Sequence, residues 1–180
     1  MRRWPLPRDQ LLFFVITGLA EGILTAMILA AGRILEPSNG TTAGLALRVG
    51  LAAGLPEAVV FFAAEYSRQK GDLARMERQL NLTAQGQLAA GRLGRLAFEE
   101  SAVAALVSSV CSFAGAAVPL LLASALPGPG WVAIVVAVGC LAFLGYGIAS
   151  TLASCKTCWA SVLAAAGVLL ALIGAHLKVV

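Results

Sequence analysis

The sequence predicts an all-α integral membrane protein with five transmembrane helices. Two observations carry this. The 180 residues are 59% hydrophobic and only 12% charged, about half the charged share of a soluble domain. The apolar stretches run for about 20 residues without the alternation a strand would show. In lipid every backbone polar group needs a partner within the protein, and a helix supplies those partners from its own turn.

The spans fall at about 11–33, 44–66, 101–126, 131–154 and 159–178, within one membrane domain covering 1–180. The first runs Leu11 to Gly32 and is too long, and too rich in Gly and Ala, for the apolar core of a cleaved signal. Pro37-Ser38-Asn39-Gly40 closes the first hairpin, and Pro127-Gly128-Pro129-Gly130 turns the third span into the fourth. Residues 67–100 are the sole long polar stretch and read as a cytoplasmic linker with a short helical segment. Within it, 84–96 is basic and weakly amphipathic, fitting either a leaflet surface or solvent.

Lys and Arg fix the orientation. Arg2, Arg3, Arg8, Arg68, Lys70, Arg75, Arg78, Arg92, Arg95 and Lys156 fall on one side, against Arg33, Arg48 and Lys178 on the other. This ten-to-three split places the N-terminus and the linker in the cytoplasm and the C-terminus outside or in a lumen. The net charge of +4 is a topology signal, and no nucleic-acid partner is expected.

Small residues recur one turn apart at Gly18, Gly22, Ala26 and Ala30, and at Gly50, Gly54 and Ala58. Such stripes let helices approach closely in lipid. Packed on each other, they would bring together the two acids beside them, Glu21 and Glu57. An ionisable group at that depth costs about 2.5–3.5 kcal/mol on insertion scales and usually faces an interior or an ion path. Thr25 lies one turn from Glu21. Glu57 follows Pro56, which should loosen the turn before it, and Arg48 is too distant along the helix to neutralise Glu57. Glu65 sits near the end of the second span, where its charge can reach water.

Cys155-Lys156-Thr157-Cys158 is a single CxxC, with no second pair or nearby His to complete a zinc site. A redox pair is the alternative use of it; idle thiols are the expectation in a reducing cytosol. Cys111 and Cys140 read as small helix hydrophobes, and His176 stands alone. There is no Ser/His/Asp set, Walker loop or dinucleotide fingerprint. No enzymatic activity, catalytic residue or resident cofactor is expected.

Several motifs, in order along the chain, resemble the vacuolar iron transporter family. Gly18 to Ala26 (G-L-A-E-G-I-L-T-A), followed by Ala30-Ala31-Gly32, looks like the family's first-helix motif, with Glu21 where Asp is usual. Gly50 to Leu55 and Ala63 to Ser67 (A-A-E-Y-S) are similar to its second helix. Asp72 to Leu80 resembles the start of its cytoplasmic helix, Gly115…Pro119-Leu120-Leu121 its third span, and Ile173-Gly174 its last. The resemblance implies a homodimer that moves Fe²⁺ or Mn²⁺ out of the cytoplasm in exchange for protons. Glu21 would be the carboxylate in the membrane and Glu65 the cytoplasmic mouth. Glu77, with Glu99 and Glu100, would mark a reduced metal-entry segment. The chain departs from the family at Phe61, where a Met is usual, and at 81–98, which hold no acid. A membrane thiol–disulfide oxidoreductase using Cys155 and Cys158, or a scaffold without transport, are the alternatives.

Reporter fusions at Val180 and within 81–98 should give opposite signals; matching signals would remove the five-span topology.

Overall fold

The computed structural model describes residues 8–33, 43–80, 86–125, 131–151 and 156–177. Both Pro/Gly turns, Cys155 and Lys178 lie outside them. The described chain is helical throughout: α1 (Arg8–Arg33), α2 (Ala43–Gln79), α3 (Gln87–Ala90), α4 (Arg92–Ala125), α5 (Trp131–Thr151) and α6 (Lys156–Leu177). Five of these are long and apolar enough to cross a membrane. Their outward faces are apolar: Val59 is 70% exposed, Phe143 81% and Leu172 67%. Such a surface would drive association in water, and in a bilayer it meets its own solvent.

Within 67–100 the described residues are nearly all helical, and most of them extend the helices on either side. α2 has 37 residues, about 55 Å at 1.5 Å per residue, against a hydrocarbon core of about 30 Å. Its last turns, from about residue 67, run on beyond the span. α4 begins at Arg92, before its own span starts. The two extensions pair into a stalk whose tip is the single turn of α3. Phe62, Tyr66 and Phe98 hold the stalk's base, with ring centroids 5.3 to 6.0 Å apart, and Lys70 lies over the Tyr66 ring. Pro56 does not interrupt α2, and Pro119 lies within α4 in the same way.

α4 is the hub. Both small-residue stripes pack, but on α4 rather than on each other, and α1 and α2 touch only slightly. A Cβ on Gly18 would collide with the Ser108 carbonyl, and one on Gly22 with the Ser112 carbonyl and the Ala116 nitrogen. On the other flank, Gly50 meets the Phe113 ring and Gly54 the Ser109 carbonyl at 2.9 Å. Gly18 and Gly22 face Ser108 and Ser112 in rising order, so α1 runs parallel to α4. Gly54 and Gly50 face Ser109 and Phe113, so α2 runs antiparallel to it.

Small residues dominate the core because lipid supplies no hydrophobic drive between helices, leaving dispersion between close backbones to hold them. Ala26, Ala46, Ala53, Ala116 and Ala123 pack between α1, α2 and α4. α5 and α6 form a hairpin, with Gly145 against the Trp159 carbonyl. The hairpin seats on α1 through Ile23, Met27, Leu141 and Ala171.

Gly22→Ala should therefore force α1 off α4. Overpacking of this kind costs about 1–3 kcal/mol, so the melting temperature of the purified protein should fall by several degrees. Gly139→Ala, where an added Cβ meets nothing within 4 Å, should leave it unchanged or raise it.

Candidate functional site

Glu57 is the most deeply buried charged side chain among the described residues, 2% exposed. Gly54, one turn before it, brings α2 against α4, and that approach puts the carboxyl within reach of α4. The Ser108 hydroxyl, itself 0% exposed, donates to Glu57 Oε1 at 2.8 Å. Beside it the Ser109 hydroxyl donates to the Gly54 carbonyl at 2.7 Å. These two bonds tie α2 to α4 at one depth.

Glu21 comes to the same place from α1. Its carboxyl lies in hydrogen-bonding reach of the Glu57 carboxyl. The expected meeting of the two acids is thus realised by a different route: each helix packs on α4 and the acids meet across the gap between α1 and α2. A hydrogen bond between two carboxyl groups needs a proton on one of them. The pair is also lopsided, since Glu57 is enclosed while Glu21 is exposed.

Thr25 is one turn beyond Glu21, and its hydroxyl donates to the Glu21 carbonyl at 2.9 Å. Its proton is used inside the helix. Phe61 packs edge-to-face on Phe14 at 5.8 Å and belongs to the core.

Glu65 stands two turns further along α2, 8% exposed. Both of its oxygens are occupied. Arg68 Nε donates to Oε2 at 3.0 Å, Arg68 Nη2 to Oε1 at 2.5 Å, and Gln69 Nε2 to Oε1 at 3.0 Å. Arg68 also reaches Asp72 Oδ2 at 3.4 Å. Its side chain is 53% exposed, so the pair is a weak tether of at most about 1 kcal/mol. A groove of 390 Å³ opens here, lined by Gln10, Arg68, Gln69, Asp72 and Glu100 among others. Glu99 is exposed beside it.

Glu77, expected at the metal-entry segment, caps the start of α3. Its carboxylate accepts from the Gly86 nitrogen at 2.8 Å and the Leu88 nitrogen at 2.7 Å. It closes the start of α3, where Gly86 takes the left-handed φ of 89°. These donors hold the Glu77 carboxyl below its ordinary range.

The serines of α4 are the part of the site that the sequence reading missed. Ser101, Ser108 and Ser112 are all 0% exposed. Their signal was present as S-S-V-C-S, Ser108 to Ser112, in an otherwise apolar span. Among the described residues no group of three or more His, Cys, Asp or Glu is placed to hold a metal ion. A larger groove of 580 Å³ between α1, α4 and α5 is lined by Leu12, Leu19, Val118, Phe143 and other apolar side chains; its chemistry suits acyl chains. Cys111 and Cys140 are half-buried, Cys158 is exposed at the start of α6, and His176 is exposed at its end. The CxxC pairing itself lies outside the described residues because Cys155 does.

No known protein family, curated protein or solved structure matches the chain. The chemistry of the site therefore has to carry the functional reading.

Because the Glu77 carboxyl is held low, its contribution is present above the ordinary carboxyl range and is lost as pH falls through the lowered value. Hydrogen-exchange protection of the Gly86 and Leu88 amides, measured against the free-peptide rate at each pH, should be high at neutral pH and fall in acid. Glu77→Gln should show the low protection at both.

Proposed function

We propose that the protein is a proton-coupled transporter of a divalent metal ion, Fe²⁺ or Mn²⁺, working as a homodimer that exports or sequesters metal from the cytoplasm. The observation that carries this is the Glu21–Glu57 contact, two carboxyl groups from different helices meeting within the bilayer span. The vacuolar iron transporter resemblance points the same way. Two carboxyl groups that share a hydrogen bond need a proton between them, and an arriving cation needs both ionised. Binding the metal therefore releases the proton, which is the linkage that exchange requires. The side chains in contact here, Glu21, Glu57 and Ser108, offer oxygens, which suits a hard cation better than a soft one.

Dimerisation follows from the lopsided burial. An acid facing lipid carries the insertion cost of about 2.5–3.5 kcal/mol. A second copy laid over the α1–α2 face would remove that cost and gather four carboxyls around one axis. The orientation with the stalk in the cytoplasm makes Glu65 and the Arg68 groove the inner mouth.

Glu21→Gln keeps the shape and cannot ionise. It should fold as well as the parent, or better, and lose both metal uptake and the coupled proton movement. Glu21→Asp should keep both. Metal uptake and internal pH in proteoliposomes read the outcome; a Glu21→Gln protein that transports like the parent would make Glu21 a structural acid.

A further inference from the structure

Ser112 is a buried hydroxyl with no hydrogen-bond partner among the described residues, at 0% exposure. Leaving such a group unpaired costs about 1–3 kcal/mol, and a helix offers an easy remedy. A Ser or Thr can donate to the carbonyl three or four residues back. Thr17, Thr25, Ser101, Ser124, Ser150 and Ser161 all do so here. Ser112 does not, although the Ser108 carbonyl is four residues behind it. That carbonyl is pressed against Gly18 of α1, and the Ser112 carbonyl against Gly22.

The position of Ser112 sets it beside the acids. It lies one turn from Ser108 on the same face of α4, and Ser108 holds Glu57. The chain neighbour of Gly22 is Glu21, the other half of the carboxyl pair. The unpaired oxygen thus belongs to the same interhelical seam as the two acids, about 6 Å further along α4.

We propose that Ser112 is the α4 ligand of the cation seat: its hydroxyl oxygen, with Glu57 and Glu21, completes an all-oxygen site for a divalent metal ion. A spacing of one turn is spanned by an ion that keeps one of its waters, with metal–oxygen bonds of about 2.0–2.2 Å and a hydrogen bond of about 2.8 Å. Ser108 then acts as a positioning residue, fixing Glu57 at the level where the ion is shared. The seat has three walls from three helices, so α4 is part of the site as well as its support. This rests on the transport reading and adds to it a ligand and a basis for selectivity.

Parent, Ser112→Ala and Ser112→Cys proteins separate the possibilities through two readouts: the rise in melting temperature on adding Mn²⁺ or Cd²⁺ in detergent, and uptake of the same ions by proteoliposomes. Ser112→Ala removes an unsatisfied buried group, so its metal-free melting temperature should stay level or rise. Its half-saturating Mn²⁺ concentration should increase by roughly tenfold or more. Ser112→Cys replaces a hard donor by a soft one and should shift the Cd²⁺-to-Mn²⁺ preference toward Cd²⁺. If the parent transports and Ser112→Ala matches it in Mn²⁺ affinity, the ligand assignment is wrong and the transport reading stands. If metal-free stability falls in step with affinity in both variants, Ser112 is structural and the assignment is again wrong. If the parent shows neither uptake nor a metal-dependent melting shift, both readings fall together.

Discussion

The approach of α1 and α2 to α4 governs what the rest of the molecule can do. At Gly18, Gly22 and Gly54 there is no room for a Cβ between a helix and its neighbour's backbone. In water such glycines would weaken a helix by about 1 kcal/mol each relative to Ala. In lipid the same residues admit dispersion contact along the whole backbone, the main attraction left when solvent is as apolar as the side chains. That contact also sets register. Ser108 can donate to Glu57 because Gly54 and Gly18 bring both neighbours to the depth of Ser108 and Ser109. The polar site is thus a by-product of steric fit, and no part of it needs an ion pair inside the membrane.

The sequence disclosed the fold to the extent that length and composition determine it. Five apolar runs in helical form follow from the bilayer's thickness and the backbone's need for partners, and all five helices are found among the described residues. At 67–100 the sequence told of a helical segment but not of how it divides between neighbouring helices, because polarity marks where the bilayer ends and says little about where a helix ends. Ser67 to Gln79 is polar yet continues α2, since Arg68, Asp72 and Arg75 support the helix through pairs at i, i+3 and i, i+4.

The site was legible in part, for a similar reason. Glu21 and Glu57 stand out in any hydropathy trace, because a charge in an apolar run is conspicuous. Their meeting was anticipated, but through the wrong contact. A stripe of small residues says that something packs closely and leaves open which helix does. Ser108 and Ser112 were passed over because serine is nearly neutral in hydropathy, and its weight here comes entirely from burial. Glu77 was the reverse case. A carboxylate near a helical segment looks available for metal until the backbone amides of Gly86 and Leu88 take both of its oxygens.

α2 continues as one helix from Ala43 to Gln79. Glu57 and Glu77 sit on that single rod, about 30 Å apart along its axis. A tilt of about 5° pivoting at Glu57 carries the Glu77 end sideways by about 3 Å over that length. Events at the carboxyl pair and at the stalk tip therefore share one mechanical degree of freedom. Whatever draws α2 toward α1 at the depth of Glu57 also swings the tip, and a grip on the tip resists that swing. A ligand on the stalk would act on the carboxyl pair as a brake, without lying anywhere near it.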